Sequence, residues 1–107
     1  MFEVVHYQDQ AGRVPFQEWM DRLRDKRAKA RIAARLEQIE NGNLGDAKPV
    51  GDGVVELRIH VGAGYRVYCA PYGRYWIVVL CGGDKRSQAK DIDRAKDFWA
   101  RWKRRQS

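Results

Sequence analysis

The segment Val54–Val61 alternates between apolar and polar side chains, and this alternation constrains the fold more than any other feature of the sequence. A period of two is typical of a β-strand with one buried face. The apolar side chains are those of Val55, Leu57, Ile59 and Val61, and the polar ones are those of Glu56, Arg58 and His60. Residues 62–64 then predict a turn, and Tyr65–Ala70 predicts a second strand. The two strands form a β-hairpin whose apolar face must be covered by the rest of the chain.

The register of this hairpin decides which side chains share a face. A three-residue loop places His60 opposite Arg66 and Arg58 opposite Tyr68. A two-residue loop would turn Arg66 onto the apolar face, where an unpaired charge is strongly unfavourable. The sequence therefore predicts a polar sheet face that carries these four side chains together with Glu56.

The remaining elements define the fold class. Further strands are predicted at Phe2–Tyr7, within Ala47–Val50, and at Tyr75–Cys81, which is apolar on both faces. Three helices are predicted, with apolar stripes at Phe16, Trp19, Met20 and Leu23, at Ile32, Leu36 and Ile39, and at Ile92, Ala95, Trp99 and Trp102. The order β-α-α-β-β-β-β-α predicts an α+β fold, an antiparallel twisted sheet with an N-terminal α-hairpin and a C-terminal helix packed on it. Residues 1–107 are expected to form one domain.

The two cysteines are expected to be buried, reduced thiols. The predicted turn at 71–74 pairs Ala70 with Tyr75, which leaves Cys69 and Cys81 too far apart to bridge. Two cysteines are also too few for a disulfide scaffold. The longest apolar run has seven residues, whereas a membrane span needs about 20, and no secretion signal is visible. A reduced, cytoplasmic protein without membrane contact is therefore expected.

Positive charge is concentrated in two blocks of the chain. The sequence has 21 Lys and Arg against 14 Asp and Glu, a net charge of +7. Residues 21–35 contain seven basic and two acidic side chains, and residues 84–105 contain nine and four. Clustered basic residues are typical of nucleic-acid binding. Solvated helix faces and an acidic protein partner remain alternatives, and the basic run 103–105 is expected to be a solvated tail.

The sequence contains no recognisable metal-binding or nucleophile motif, so its candidate chemistry rests on cations. These are Arg58, Arg66, Lys85, Arg86, Lys90 and Lys48, several of them near the start of the last helix, which Ser87 is expected to cap. Such a set can stabilise a phosphodiester transition state, and RNA cleavage needs no metal when the 2′-hydroxyl is the nucleophile. Because arginine stays protonated, the base is left open between one of the lysines and His60. A purely structural role for Arg58 or His60 also stays open.

Four short motifs resemble the RelE/ParE toxin superfamily, and within it the HigB-like addiction module killer proteins. They are Gly42–Lys48, Gly51–Ile59, Gly64–Tyr68 and Gly82–Ile92, in the family's order along nearly the whole chain. The resemblance implies a RelE-like fold and the toxin of a bacterial type II toxin–antitoxin module. Such a toxin would be a ribosome-dependent mRNA endonuclease without a cofactor. Its partners would be the ribosome, mRNA and a helix-turn-helix antitoxin, with operator DNA bound only through the antitoxin.

The same resemblance implies roles for individual residues. Arg66, Arg58, Lys85 and Lys48 would be catalytic, and Lys90, Arg86, His60 and Tyr68 would contact substrate. Two positions depart from RelE itself, since Lys90 stands where RelE has a base-stacking tyrosine and Glu56 where it has a lysine. A gyrase inhibitor of the ParE type and a non-catalytic nucleic-acid-binding module therefore remain alternatives.

Overall fold

The computed structural model describes residues 1–106, which form five strands and three helices. The elements are β1 (Glu3–His6), α1 (Pro15–Arg22), α2 (Lys26–Glu40), β2 (Ala47–Gly51), β3 (Val54–Ile59), β4 (Tyr65–Tyr72), β5 (Trp76–Asp84) and α3 (Gln88–Gln106). Pro15 occupies the first turn of α1, and the Asp25 side chain caps α2 by accepting from the Ala28 amide. The α+β class and the order of elements are as the sequence predicts.

One five-stranded sheet, in the order β1-β5-β4-β3-β2, separates two layers of helices. On one face α1 and α2 cover the apolar side chains of β3, β4 and β5, among them Leu57 and Val67. On the other face α3 covers Val54, Ala70 and Leu80. The outer strand β1 runs parallel to β5, whereas all other pairs are antiparallel. This single parallel pair is a departure from the predicted antiparallel sheet, and it arises because the chain crosses over through α1, α2 and three strands between β1 and β5.

The β3–β4 hairpin differs in register from the prediction but keeps the same faces. Its strands pair Ile59 with Tyr65, so residues 60–64 form the loop instead of residues 62–64. The loop is longer because Val61 leaves the strand and is buried in a turn, where its carbonyl accepts from the Gly64 amide at 3.0 Å. Since the shift is even, no side chain changes face. Arg58 consequently lies opposite Arg66, and not opposite Tyr68 as predicted.

The β4–β5 turn is also displaced from its predicted position. Strand β4 continues to Tyr72, which pairs with Trp76, and the turn is formed by residues 73–75. Cys81 consequently pairs with Tyr68. Cys69 packs under the two N-terminal helices and Cys81 under α3, so the sheet itself separates the two thiols. Both cysteines are free and buried, as predicted.

Two glycines at the end of β5 allow helices to approach both faces of the sheet. A Cβ on Gly82 would overlap the indole ring of Trp19 in α1, and one on Gly83 would overlap the Asp91 carboxylate in α3. These contacts explain the Gly82-Gly83 motif as a packing requirement. Within residues 1–106, no helix is both long and apolar enough to cross a membrane.

Candidate functional site

A cavity of about 470 Å³ opens beside the β3–β4 loop. Its charged lining consists of Arg58, His60, Arg66 and Lys85, and residues 61–64 form its rim. Four of the eight residues predicted as site residues are therefore brought together. The cavity is cationic, because none of its lining residues is acidic.

Glu56, a fully buried carboxylate, lies beneath the cavity and contacts its two arginines. Its Oε1 lies 3.3 Å from the Arg58 Nε, and its Oε2 lies 3.6 Å from the Arg66 Nε. The same Oε2 accepts hydrogen bonds from the Tyr68 hydroxyl at 3.1 Å and from the Gln88 amide at 2.8 Å. Glu56 thus connects both strands of the hairpin to the first residue of α3.

The surroundings of Glu56 keep it ionised. Burial alone would raise its pKa, but hydrogen bonds from Gln88, Arg58 and Tyr68 and the charge of Arg66 outweigh this effect and lower it. Burial and the neighbouring carboxylate raise the pKa of Tyr68. The Tyr68 hydroxyl is therefore a fixed hydrogen-bond donor to Glu56.

Two arginines at directly opposed positions would repel each other without an anion between them. Glu56 supplies that anion, and it approaches each guanidinium at the Nε edge. The Arg66 Nε is too far from Glu56 for a hydrogen bond and is held by charge alone. Within residues 1–106, the terminal nitrogens of Arg66 donate no hydrogen bond, although the side chain is only 13% exposed. They are therefore available to a ligand in the cavity.

Lys85 reaches the cavity from the short loop between β5 and α3. The Asp84 carboxylate fixes this loop by accepting from the backbone amides of Arg86 and Ser87 at 2.9 and 3.2 Å. Ser87 immediately precedes the helix, but its hydroxyl donates to the Asp91 carboxylate in the first turn of α3 and does not accept from a helix amide as the predicted cap would. The loop is thus anchored at both ends, and Lys85 itself remains exposed.

His60 is held at the cavity edge by an acidic partner that the sequence reasoning did not single out. Its Nε2 lies 2.6 Å from the Asp46 carboxylate. This hydrogen bond lowers the pKa of Asp46 and keeps it ionised. Asp46 is placed by Arg35, whose guanidinium bonds to the carbonyl oxygens of Leu44, Asp46 and Arg58 at 2.7, 3.0 and 2.5 Å.

Gly45 makes this arrangement possible, which explains part of the Gly42–Lys48 motif. Its φ is +65°, and a Cβ there would lie 3.0–3.1 Å from the Arg35 guanidinium. Both the left-handed backbone and the close guanidinium favour glycine. The motif therefore supports His60 through Arg35 and Asp46.

A second, smaller cavity of about 160 Å³ continues the cationic surface toward α2. It shares Arg58 and His60 with the first cavity and adds Arg31 and Arg35. From the sequence, these two arginines could be assigned only to a basic block of the chain in the helical region. Their proximity to β3 depends on how α2 lies across the sheet, which residue spacing alone does not define.

The other four predicted site residues do not line the main cavity. Tyr68 lies buried beneath it. Lys48 lies opposite Glu56 on β2 and is exposed. Arg86 and Lys90 are exposed around the start of α3. In residues 1–106 there is also no group of three or more His, Cys, Asp or Glu side chains that could hold a metal ion.

Comparison with known protein families identifies the family of this chain. Residues 18–100 match the family model of phage-derived Gp49-like proteins, and this range covers most of the sequence. The chain belongs to the Gp49-like family. This family is associated with toxin–antitoxin systems.

The chain is also similar to a protein of Haemophilus influenzae that is described as an uncharacterized protein. It is 49% identical over 81 residues, which cover 76% of this chain and 82% of the relative. The Gp49-like match includes every residue that lines the main cavity, from Arg58 to Lys85.

Proposed function

We propose that this Gp49-like protein is the toxin of a type II toxin–antitoxin module and acts as a ribosome-dependent mRNA endonuclease. The toxin association of the family supports the general role, and the cationic cavity supports the chemistry. The observation that carries the proposal is the pair Arg58 and Arg66, opposed across the hairpin and anchored by one buried carboxylate.

The proposed reaction is attack of an RNA 2′-hydroxyl on the adjacent phosphorus. The O2′–P bond forms, the bond from phosphorus to the 5′ oxygen breaks, and the products are a 2′,3′-cyclic phosphate and a 5′-hydroxyl. Negative charge accumulates on the non-bridging oxygens in the transition state. Arg58 and Arg66 stabilise that charge, since fixed donors in a partly enclosed site are effective there.

The proton of the 2′-hydroxyl requires an acceptor, and His60 is the side chain we assign. Glu56 is fully buried and already accepts hydrogen bonds, whereas the arginines and Tyr68 stay protonated. His60 is exposed at the cavity edge, and Asp46 orients its ring as a carboxylate partner does in many acid–base pairs. The Lys85 ammonium is assigned as the proton donor to the leaving 5′ oxygen.

The proposed partners are the ribosome with its mRNA and a cognate helix-turn-helix antitoxin. A neutralising antitoxin would act by covering the cavity or by displacing Lys85 or His60 from it. Contact with operator DNA would then occur only through the antitoxin. The proposed site of action is the cytoplasm.

Induced expression followed by mapping of mRNA 5′ ends tests the proposal in cells. New ends at a fixed phase within codons of translated messages are expected with the wild-type chain, and not with Arg66→Ala. Arg74→Ala is a matched control, because Arg74 is exposed at the far β4–β5 turn and lines a different cavity. Intact messages with DNA damage would indicate a gyrase inhibitor instead, and intact messages with RNA binding would indicate a non-catalytic binding module.

A further inference from the structure

The basic run at the C-terminus is part of the folded domain and lines a cavity of its own. Helix α3 extends to Gln106, so residues 103–105 are helical and not a tail, although their side chains are exposed to solvent as the sequence suggests. A cavity of about 210 Å³ lies between the end of α3 and the loop after β1. Its lining consists of Gln10, Arg101, Arg104 and Arg105.

Two of the three arginines are held in place by the protein. The Arg105 guanidinium donates to the Gln8 carbonyl oxygen and lies 5.2 Å from the centre of the Tyr7 ring. The Arg101 Nε lies 3.0 Å from the Asp97 carboxylate one turn earlier. Arg104 makes no hydrogen bond or ion pair within residues 1–106. Three guanidinium groups thus surround one cavity with a single carboxylate among their partners.

Helix stability alone does not explain this arrangement. Basic residues in the last turn do offset the partial negative charge at a helix C-terminus. That effect requires no contact with another part of the chain, whereas the Arg105 guanidinium lies over the Tyr7 ring and Gln10 lines the cavity. Contacts with the loop after β1 therefore keep Arg105 beside Arg101 and Arg104 around one cavity.

The arginine cavity is remote from the candidate active site. Gln88, the first residue of α3, contacts Glu56 beneath the cationic cavity. Arg104 lies sixteen residues further along the same helix, which is about 24 Å at about 1.5 Å per residue. One phosphate cannot reach both places. About seven stacked nucleotides at about 3.4 Å each would span the distance.

We propose that the cavity formed by Arg101, Arg104 and Arg105 binds a backbone phosphate of RNA outside the reacting segment. Guanidinium groups bind phosphate oxygens in a bidentate manner, and several around one cavity favour a phosphate. An acidic protein partner is less favoured, because no apolar or aromatic side chain lines the cavity as an anchor. The inference takes from the proposed function only that the ligand is RNA, and it does not depend on cleavage.

Binding of a fluorescent 2′-O-methyl RNA 20-mer, measured across a range of salt concentrations, tests the site. This probe lacks the 2′-hydroxyl, so binding is measured without cleavage. Arg104→Gln should weaken binding about tenfold at low salt, as loss of one charge-assisted contact does. It should also reduce the slope of log K against log salt by about 0.7, the value for one phosphate contact on a single strand. Arg104→Lys should restore the slope but only part of the affinity.

Arg27→Gln is the control, because it removes the same charge from an exposed position in the first turn of α2. Equal effects of the two Gln variants would overturn the proposal, since they would show a general charge effect. It would also be overturned if Arg104→Gln lowered only the melting temperature, or if it weakened binding of a poly-glutamate peptide and not of RNA. If the RNA results are as expected but no message is cleaved in cells, the phosphate site stands and the proposed endonuclease activity fails.

Discussion

Replacing Glu56 by glutamine should destabilise the fold, although it removes only one charge. The variant leaves Arg58 and Arg66 opposed without a carboxylate between them. Two unit charges about 5 Å apart repel by about 3 kcal/mol at an effective dielectric constant of 20. Solvent around Arg58, whose side chain is 36% exposed, reduces this to about 1–2 kcal/mol.

Loss of the charged acceptor adds to this repulsion. Hydrogen bonds to a charged group contribute about 1.5–3 kcal/mol, and the neutral amide of the variant would retain only weaker ones to Tyr68 and Gln88. The free energy of unfolding should fall by about 3 kcal/mol in total. For a chain of this size, that is a decrease of about 12 °C in the melting temperature.

The effect should depend on pH in a defined direction. Because folding lowers the pKa of Glu56 from its ordinary value of 4.5, the ionised carboxylate stabilises the folded state above that pH. This stabilisation is lost as the pH falls through the lower pKa of the folded state. Thermal unfolding followed by circular dichroism should therefore show a large difference between wild type and Glu56→Gln at pH 7 that shrinks steadily below about pH 4.5.

Glu37→Gln is a suitable control, because Glu37 is exposed on α2 and its replacement should change the melting temperature very little. If Glu56→Gln melted within a degree or two of wild type at pH 7, Glu56 would not be the anchor of the two arginines. A difference that did not vary with pH would equally contradict the reasoning, since it would show a packing effect without a contribution from charge.

Two further predictions concern packing around the sheet. Gly83→Ala should destabilise the fold by about 1–3 kcal/mol or more, because its Cβ would collide with the Asp91 carboxylate and α3 would have to move; an unchanged urea unfolding midpoint would contradict this. Burial raises the pKa of Cys69 and of Cys81 to about 12, so neither thiol should react with a thiol-specific reagent at pH 8 until denaturant is added. Rapid labelling of either cysteine in the native protein would show that the helices covering that face of the sheet leave the thiol accessible to solvent.

The sheet face could be predicted from the sequence because side-chain alternation and the cost of burying Arg66 both point the same way. The register could not, because Val61 leaves the strand while remaining buried, and its apolar character is compatible with both positions. An even shift preserves the faces, so the prediction of Arg58 and Arg66 on one face was correct even though their partners changed.

The contacts that hold the site residues in place were harder to predict from the sequence. The sequence places Glu56 on the polar sheet face, but its contacts with Gln88 and Tyr68 join residues far apart in sequence. Arg35 likewise acts across the sheet edge, through carbonyl oxygens that no residue pattern identifies. The glycines of the motifs were the available sequence signal for these contacts. Gly45 marks the close approach of the Arg35 side chain, and Gly83 marks that of the Asp91 side chain.

Cleavage of mRNA on purified translating ribosomes tests the central claim most directly. Primer extension should reveal cuts made by the wild-type chain, whereas ribosome-free RNA should be cut far more slowly. Arg66→Ala, checked for folding by circular dichroism, should cut about 10²–10³ times more slowly, the usual loss for one transition-state donor. A folded Arg66→Ala protein that cleaves at the wild-type rate would contradict the role assigned to the cationic cavity.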